Sequence, residues 1–272
     1  MSDRVVVTRL PGGVADVRLN RADKMNALDV PMFEALVATG SELARDPSLR
    51  AVVLSGEGRA FSAGLDFSSF QAMGGDAESR KRTPGLLSRG DASSPANFAQ
   101  RAAWVWTEVP VPVIAAVHGV AYGGGLQIAL GADLRFVAPD AKLSVMEIKW
   151  GLVPDMSGTQ TLRRLVRLDV AKELTFTGRI VSGTEAVELG LATRVAADPR
   201  AAALEFAAEI AARSPDAIRA AKQLLDASGV VPVAEGLQLE EKLQLGLIGR
   251  PNQIESVRAN LEKRPPRFQD PS

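Results

Sequence analysis

The sequence predicts an α/β fold made of recurring strand, loop and helix turns, completed by a helical C-terminal region. Three observations carry this reading. Short apolar runs such as Val113-Ile114-Ala115-Ala116-Val117 alternate with segments of helical periodicity. Glycine-rich loops stand where strands hand over to helices. Past about Ala203 the pattern is helix alone, so the chain divides into a core over 1–203 and a helical region over 204–272. The turns share no repeated sequence motif.

In chain order, Val5–Thr8 and Val14–Leu19 read as strands around the turn Pro11-Gly12-Gly13. Asp29 caps a helix running to about Ala44, with Phe33, Leu36, Val37 and Leu43 on its apolar side. Ala51–Leu54 is a buried strand that opens into the loop Gly56–Asp66. The polar stretch from about Gln71 to Asn97 reads as a mobile loop. A helix over Phe98–Thr107 leads to the strand Val113–Val117. Gly123-Gly124-Gly125 then opens a helix through Leu130, and Leu134–Ala138 is the next strand. In the C-terminal region Ser214-Pro215 marks a helix start. Glu235–Leu247 is amphipathic, suited to oligomerisation or to packing on its own core.

Composition narrows the function classes. With 272 residues, 46% apolar and 24% charged, the chain can bury a core and carry an appendage. Lys+Arg and Asp+Glu each count 32, a balance that argues against nucleic-acid binding. No cysteine is present, which removes disulfides, thiolate catalysis and Cys-ligated metal; the single histidine, His118, leaves no His-rich zinc site. The apolar run after Met1 is too short for a signal peptide, and Val109–Ala121 is interrupted by Pro110, Pro112, His118 and Gly119. The expectation is a cytoplasmic enzyme without metal or redox cofactor.

Three segments offer chemistry. Gly123-Gly124-Gly125 lets backbone approach a ligand closely and points free N–H groups at it, but lacks the signature of a P-loop or dinucleotide site. A tight packing turn is the plainer reading. Ala60–Asp66 is a second small-residue loop. Its Ser62 nearly matches a nucleophile elbow, with Ala60 in place of the first glycine, and a hydrolase would need His118 as base. In Ser144–Asp155, Glu147 stands among apolar residues that would raise its pKa towards neutrality. Asp155 follows in a Pro-containing turn. A surface glutamate and a helix-capping aspartate are the commoner fates of such residues.

Together and in this order, these segments resemble the crotonase (enoyl-CoA hydratase/isomerase) superfamily. Arg21–Leu28 is similar to its N-terminal Arg-Pro-x-Lys-x-Asn-Ala-Leu segment, and Ala60–Asp66 and Pro112–Gly125 to its two oxyanion-hole loops. Gly158-Thr159-Gln160, Phe176-Thr177-Gly178, Ala186–Leu191 and Glu262-Lys263-Arg264 extend the match over nearly the whole chain.

The resemblance implies a spiral of ββα units whose C-terminal helices pack trimers, often paired into hexamers. It implies an acyl-CoA substrate, with CoA itself part of that substrate and no separate cofactor. The backbone N–H groups of Leu65 and Gly124 would hold the thioester oxygen. Lys24, Met25, Ala27, Ala63, Asp66 and Gln127 would line the ligand, and Lys263 would reach CoA from a neighbouring subunit. Hydratases of this superfamily carry two glutamates; here the first position is Gln127 and the second Glu147. Dienoyl-CoA isomerases place an aspartate where Asp155 falls, but also one at the position of Gln127. Double-bond isomerisation with Glu147 as proton carrier and Asp155 as a second carrier is therefore the leading expectation. Hydration through one carboxylate and a non-catalytic acyl-CoA binder are the alternatives.

Overall fold

A computed structural model of the chain describes residues 4–66 and 94–271. The loop expected over 71–97 lies outside the described residues for its 71–93 part.

The expected α/β architecture is present as two sheets. The larger has six strands in the order β1 (Val5–Leu10), β2 (Val14–Leu19), β3 (Ala51–Gly56), β4 (Val113–Val117), β6 (Leu134–Val137) and β9 (Arg194–Val195). β1 and β2 form an antiparallel hairpin, and every later pairing is parallel. The smaller sheet joins β5 (Val120–Tyr122), β7 (Lys142–Ser144) and β8 (Val181–Ser182). Consecutive strands β4–β5 and β6–β7 thus divide between the two sheets before a helix returns the chain. That alternation is the spiral of ββα turns.

β3 and β4 are buried at every position, as apolar runs between parallel neighbours should be. One sheet face packs on α1 (Val30–Ala44) and α2 (Phe98–Glu108), through Met32, Phe33, Leu36, Val105 and Trp106. Asp29 caps α1 as expected, its carboxylate accepting from the Met32 N–H at 3.0 Å. An Asn97/Gln100 capping box starts α2. The other face is covered by α7 (Pro199–Ala211), whose Ala203 and Ala207 sit against Val53, Ala116 and Phe136. This helix straddles residue 203, so the first helix of the all-helical stretch belongs to the core sheet.

α8 (Pro215–Ala227) begins at Ser214-Pro215, without a side-chain capping bond from the serine. It is fixed by Lys222, whose Nζ donates to Asp133 Oδ2 at 2.7 Å and to the Val111 carbonyl at 3.1 Å. α9 (Val233–Leu247) buries none of its residues within the chain and leaves Leu237 and Leu245 exposed. α10 (Pro251–Leu261) closes the region. No described helix is long and apolar enough to cross a membrane.

Candidate active site

Three parallel segments lie side by side and deliver the site at their carboxyl ends. Ser62 bridges Ala121, and β5 pairs with β7 in the register Tyr122↔Ser144. Just past these pairings come Ala63-Gly64-Leu65, the glycines 123–125 and Glu147. Continuations of adjacent parallel strands emerge at one edge, where α/β folds bind ligands.

The first loop is held in a defined orientation. Leu28 bridges Leu65: the Leu28 N–H donates to Gly64 O at 2.8 Å and the Asp66 N–H to Leu28 O at 3.0 Å. A parallel bridge of this kind uses the groups flanking Leu65 and turns the Leu65 N–H to the opposite side. Gly124 opens the helix α3 (Gly124–Leu130), so its N–H has no intrahelical acceptor. Among the described residues neither N–H donates to a backbone carbonyl. The two loops touch, since a Cβ on Gly64 would lie 3.6 Å from the Gly124 nitrogen. The pair expected to hold an oxyanion is therefore brought together.

Arg135, buried at the opposite end of α3, donates to the Ala132 carbonyl at 2.5 Å and the Leu191 carbonyl at 2.9 Å. Burial pushes its guanidinium down to about 10, which leaves it cationic at neutral pH. A cation there complements the negative end of the helix whose positive end faces the site.

Glu147 starts a 3₁₀ turn over Glu147–Trp150 beyond β7, and it is buried rather than a surface glutamate. A Cβ on Gly123 would meet its Oε1 at 3.3 Å, so the carboxylate abuts the glycine nest. Gln127 Nε2 donates to Oε1 at 2.6 Å, while Oε2 is buried without a partner among the described residues. Burial first, then the nearby Asp155 charge, push this carboxyl above the ordinary glutamate range, against the lowering hydrogen bonds from backbone and Gln127. Asp155 stands at the rim, exposed on one side yet crowded enough that burial raises its pKa as well. The residue that caps the next helix, α4 (Gly158–Leu165), is Ser157, not Asp155.

Ser62 is not a nucleophile in this arrangement. It is fully buried, its hydroxyl donates to the Asn26 carbonyl at 2.9 Å, and it accepts from the Gly64 N–H at 3.2 Å. His118 bonds through Nε2 to the Gly58 carbonyl at 2.9 Å. The serine ties the Ser62–Leu65 loop to the 21–28 segment, and the Ala63 N–H adds a bond to Met25 O at 2.9 Å.

Within that segment Lys24 is exposed, Met25 half-buried and Ala27 buried. Asp66 is engaged by Arg21 Nη1 at 2.5 Å, which fixes the far end of the loop. Lys263 lies exposed just beyond α10. Of the tryptophans, Trp106 is core and Trp150 lies exposed on the 3₁₀ turn beside Glu147.

Two contributors escaped the sequence reading. Asn26, buried at φ 53°, donates to Ala60 O at 2.8 Å and Glu57 O at 2.9 Å, and accepts from the Arg21 N–H at 2.8 Å. An asparagine in a turn, able to adopt positive φ, was the available signal. The Met156 and Gly158 N–H groups both donate to Gln127 Oε1, at 2.8 and 2.9 Å. Nothing in the sequence marks a backbone donor of that kind.

Comparison with known proteins adds an independent line. Residues 9–271 match the family described as Enoyl-CoA hydratase/isomerase. A Bacillus subtilis protein named probable enoyl-CoA hydratase is 34% identical over 250 residues, covering 89% of this chain and 90% of its own. The mouse mitochondrial Delta(3,5)-Delta(2,4)-dienoyl-CoA isomerase is 32% identical over 272 residues, covering 96% of this chain and 80% of its own. The crystal structure of an enoyl-CoA hydratase from Bacillus anthracis superposes with a TM-score of 0.88 at 31% identity, covering 98% of this chain and 100% of that one.

Proposed function

Because the chain belongs to the enoyl-CoA hydratase/isomerase family, we propose that it shifts a carbon–carbon double bond in an acyl-CoA thioester, with Glu147 carrying the proton. The observation that supports this best is one buried carboxylate, Glu147, hydrogen-bonded to a neutral amide, Gln127. Adding water takes one group to activate it and an acid to protonate the α-carbon. A single carboxylate beside an amide is better suited to moving a proton between two carbons.

In this reading the thioester oxygen accepts from the Leu65 and Gly124 N–H groups. Glu147 removes a proton from C2 of a 3-enoyl-CoA, and the electron pair delocalises onto that oxygen. The same carboxyl then protonates C4, leaving the 2-enoyl-CoA with no net gain or loss of atoms. With a 3,5-dienoyl-CoA Glu147 takes the C2 proton and Asp155, in its protonated form, gives its own proton to C6, yielding the 2,4-dienoyl product. Glu147 then releases a proton to solvent and Asp155 regains one, so no atom is gained or lost. The name of the mouse relative accords with this second substrate. Only protons move, so the step uses no metal or redox cofactor. Lys24, Met25, Ala27 and Ala63 line the CoA. The uncovered α9 is read as packing against further copies in a trimer, across which Lys263 reaches a neighbour's CoA.

Incubating the protein separately with 2-enoyl-, 3-enoyl- and 3,5-dienoyl-CoA in D₂O tests the assignment by mass spectrometry. Double-bond interconversion with deuterium uptake is expected. A hydroxyacyl-CoA product would move the assignment to hydration, and no reaction with any ester would leave a binding role.

The acid limb of the pH–rate profile is a second expected result. Glu147 works as a base only when ionised, so turnover falls as pH drops through its pKa. Burial and the Asp155 charge raise that pKa, which places the limb above the range of an ordinary glutamate. With 3-enoyl-CoA, on which Asp155 gives no proton to the substrate, Asp155→Asn removes a like charge, so the limb should move to lower pH. Turnover of 3,5-dienoyl-CoA should fall about 10²-fold or more, with that of 3-enoyl-CoA largely kept. Profiles on both substrates check this, and an equal loss on both would refute the separate role of Asp155.

A further inference from the structure

The geometry around Gln127 points to a role that neither a ligand contact nor a vestige of a lost carboxylate describes. We propose that Gln127 is a positioning residue: it commits one oxygen of Glu147, leaves the other as the sole proton carrier, and fixes the loop that bears Asp155 relative to both. This rests on the reading of Glu147 as the proton carrier.

The two ends of the Gln127 amide are distinguished by their partners. Its Oε1 accepts from the Met156 N–H at 2.8 Å and the Gly158 N–H at 2.9 Å. Both are obligatory donors, so the oxygen must face them and the NH₂ group must face away. The NH₂ group then meets Glu147 Oε1 at 2.6 Å. Gln127 is buried, so water does not substitute for these bonds.

The consequence for Glu147 is an asymmetric carboxylate. Oε1 accepts a hydrogen bond from a group that has no acceptor left to offer in return. Protonating Oε1 would weaken the bond it accepts from Gln127, because a hydroxyl oxygen is a poorer acceptor than a carboxylate oxygen, so the proton favours Oε2, the buried oxygen without a partner among the described residues. A glutamate at position 127 lacks this directionality. One of its oxygens would still accept from Met156 and Gly158, while the other faced Glu147 Oε1, where a proton must be shared or two charges must repel.

The same amide spans the two proton carriers. Met156 directly follows Asp155 and Gly158 comes after Ser157, and Met156 also packs where a Cβ on Gly124 would meet its Sδ at 2.8 Å. Gln127 thereby holds the Asp155 loop, the Glu147 carboxylate and the start of α3 in one register. Asp155 is the charged group acting on Glu147 among the described residues, and beside a backbone hydrogen bond the Gln127 amide is the side-chain contact that lowers its pKa.

The test follows the Glu147 carboxyl directly, by isotope-edited infrared titration with ¹³C-glutamate, assigned by its loss in Glu147→Gln. Gln127→Met keeps the side-chain length and removes the donor. Gln127→Glu keeps the loop acceptor and replaces the donor by a second carboxyl. Both should raise the Glu147 midpoint, Gln127→Glu the more, because a hydrogen bond to the ionised form has been removed and, in one case, a like charge added. An unchanged midpoint in both variants overturns the proposal, and this readout does not require turnover. If wild type does not isomerise enoyl-CoA yet the midpoint moves, the proton-carrier reading fails while the coupling stands. With turnover present, Gln127→Met should lower kcat by about 10-fold or more at neutral pH with KM within about twofold, its acid limb displaced upward. A loss confined to KM would instead make Gln127 a ligand contact and overturn the positioning role.

Discussion

Glu147→Gln is expected to lower turnover of a 3-enoyl-CoA by about 10³-fold or more while leaving acyl-CoA affinity nearly unchanged. The amide has the size of the carboxylate and lies against the same glycine nest, where a Cβ on Gly123 would meet Oε1 at 3.3 Å. What it cannot do is take a proton from carbon and return it. The proposed oxyanion donors belong to the backbone of Leu65 and Gly124, so the substitution leaves them in place. Binding measured by calorimetry should therefore hold while kcat collapses, the pattern of a lost transition-state interaction. The fold should carry a modest penalty, because the new NH₂ group takes the place of Oε2 and finds no acceptor there among the described residues. An unsatisfied buried donor costs about 1–3 kcal/mol, visible as a lower Tm without loss of cooperativity. Turnover within a few-fold of wild type would remove Glu147 from the mechanism.

Much of this site was legible in the sequence, because it depends on features that leave a local mark. Gly123-Gly124-Gly125 after an apolar strand does open a helix, at Gly124, whose N–H donates to no backbone carbonyl among the described residues, and Asp29 does cap α1. Burial of Glu147 followed from its apolar flanks. The signals with more than one reading were those whose meaning depends on neighbours remote in sequence. Ser62 matched a nucleophile pattern, yet the fold spends its hydroxyl on Asn26, 36 positions away. Asp155 suited a helix cap, but the chain takes two more residues before α4 begins. The orientation of Gln127 is set by backbone donors 29 and 31 positions further on. No residue-type pattern encodes a peptide N–H that any amino acid except proline would supply. Side-chain chemistry was therefore readable, and the direction in which each group points was not.

Gly64→Ala should be the most damaging change that leaves every side chain of the site intact. Gly64 has φ +85°, a conformation that costs an L-residue about 1–2 kcal/mol. Its Cβ position also lies 2.6 Å from the Tyr122 carbonyl oxygen, a backbone atom fixed within the small sheet. The clash cannot be relieved by rotating a side chain. The 62–66 loop must move away from Tyr122, and the Leu65 N–H moves with it. One oxyanion donor is typically worth ~3–4 kcal/mol, or about 10²–10³ in rate, and the contribution is lost once the donor is misplaced. The loss should fall mainly on kcat, since the thioester oxygen gains most of its charge only in the transition state. Gly12→Ala in the β1–β2 turn separates strain from function. Gly12 has φ +79° but nothing within 4 Å of its Cβ position, so that variant should lose comparable backbone stability and keep its activity. Steady-state kinetics on both variants, each shown to be folded by circular dichroism, decides the point. Equal activities would mean that the loop following Ser62 does not supply the oxyanion hole, and a selective collapse in Gly64→Ala would tie catalysis to the approach of this loop to α3.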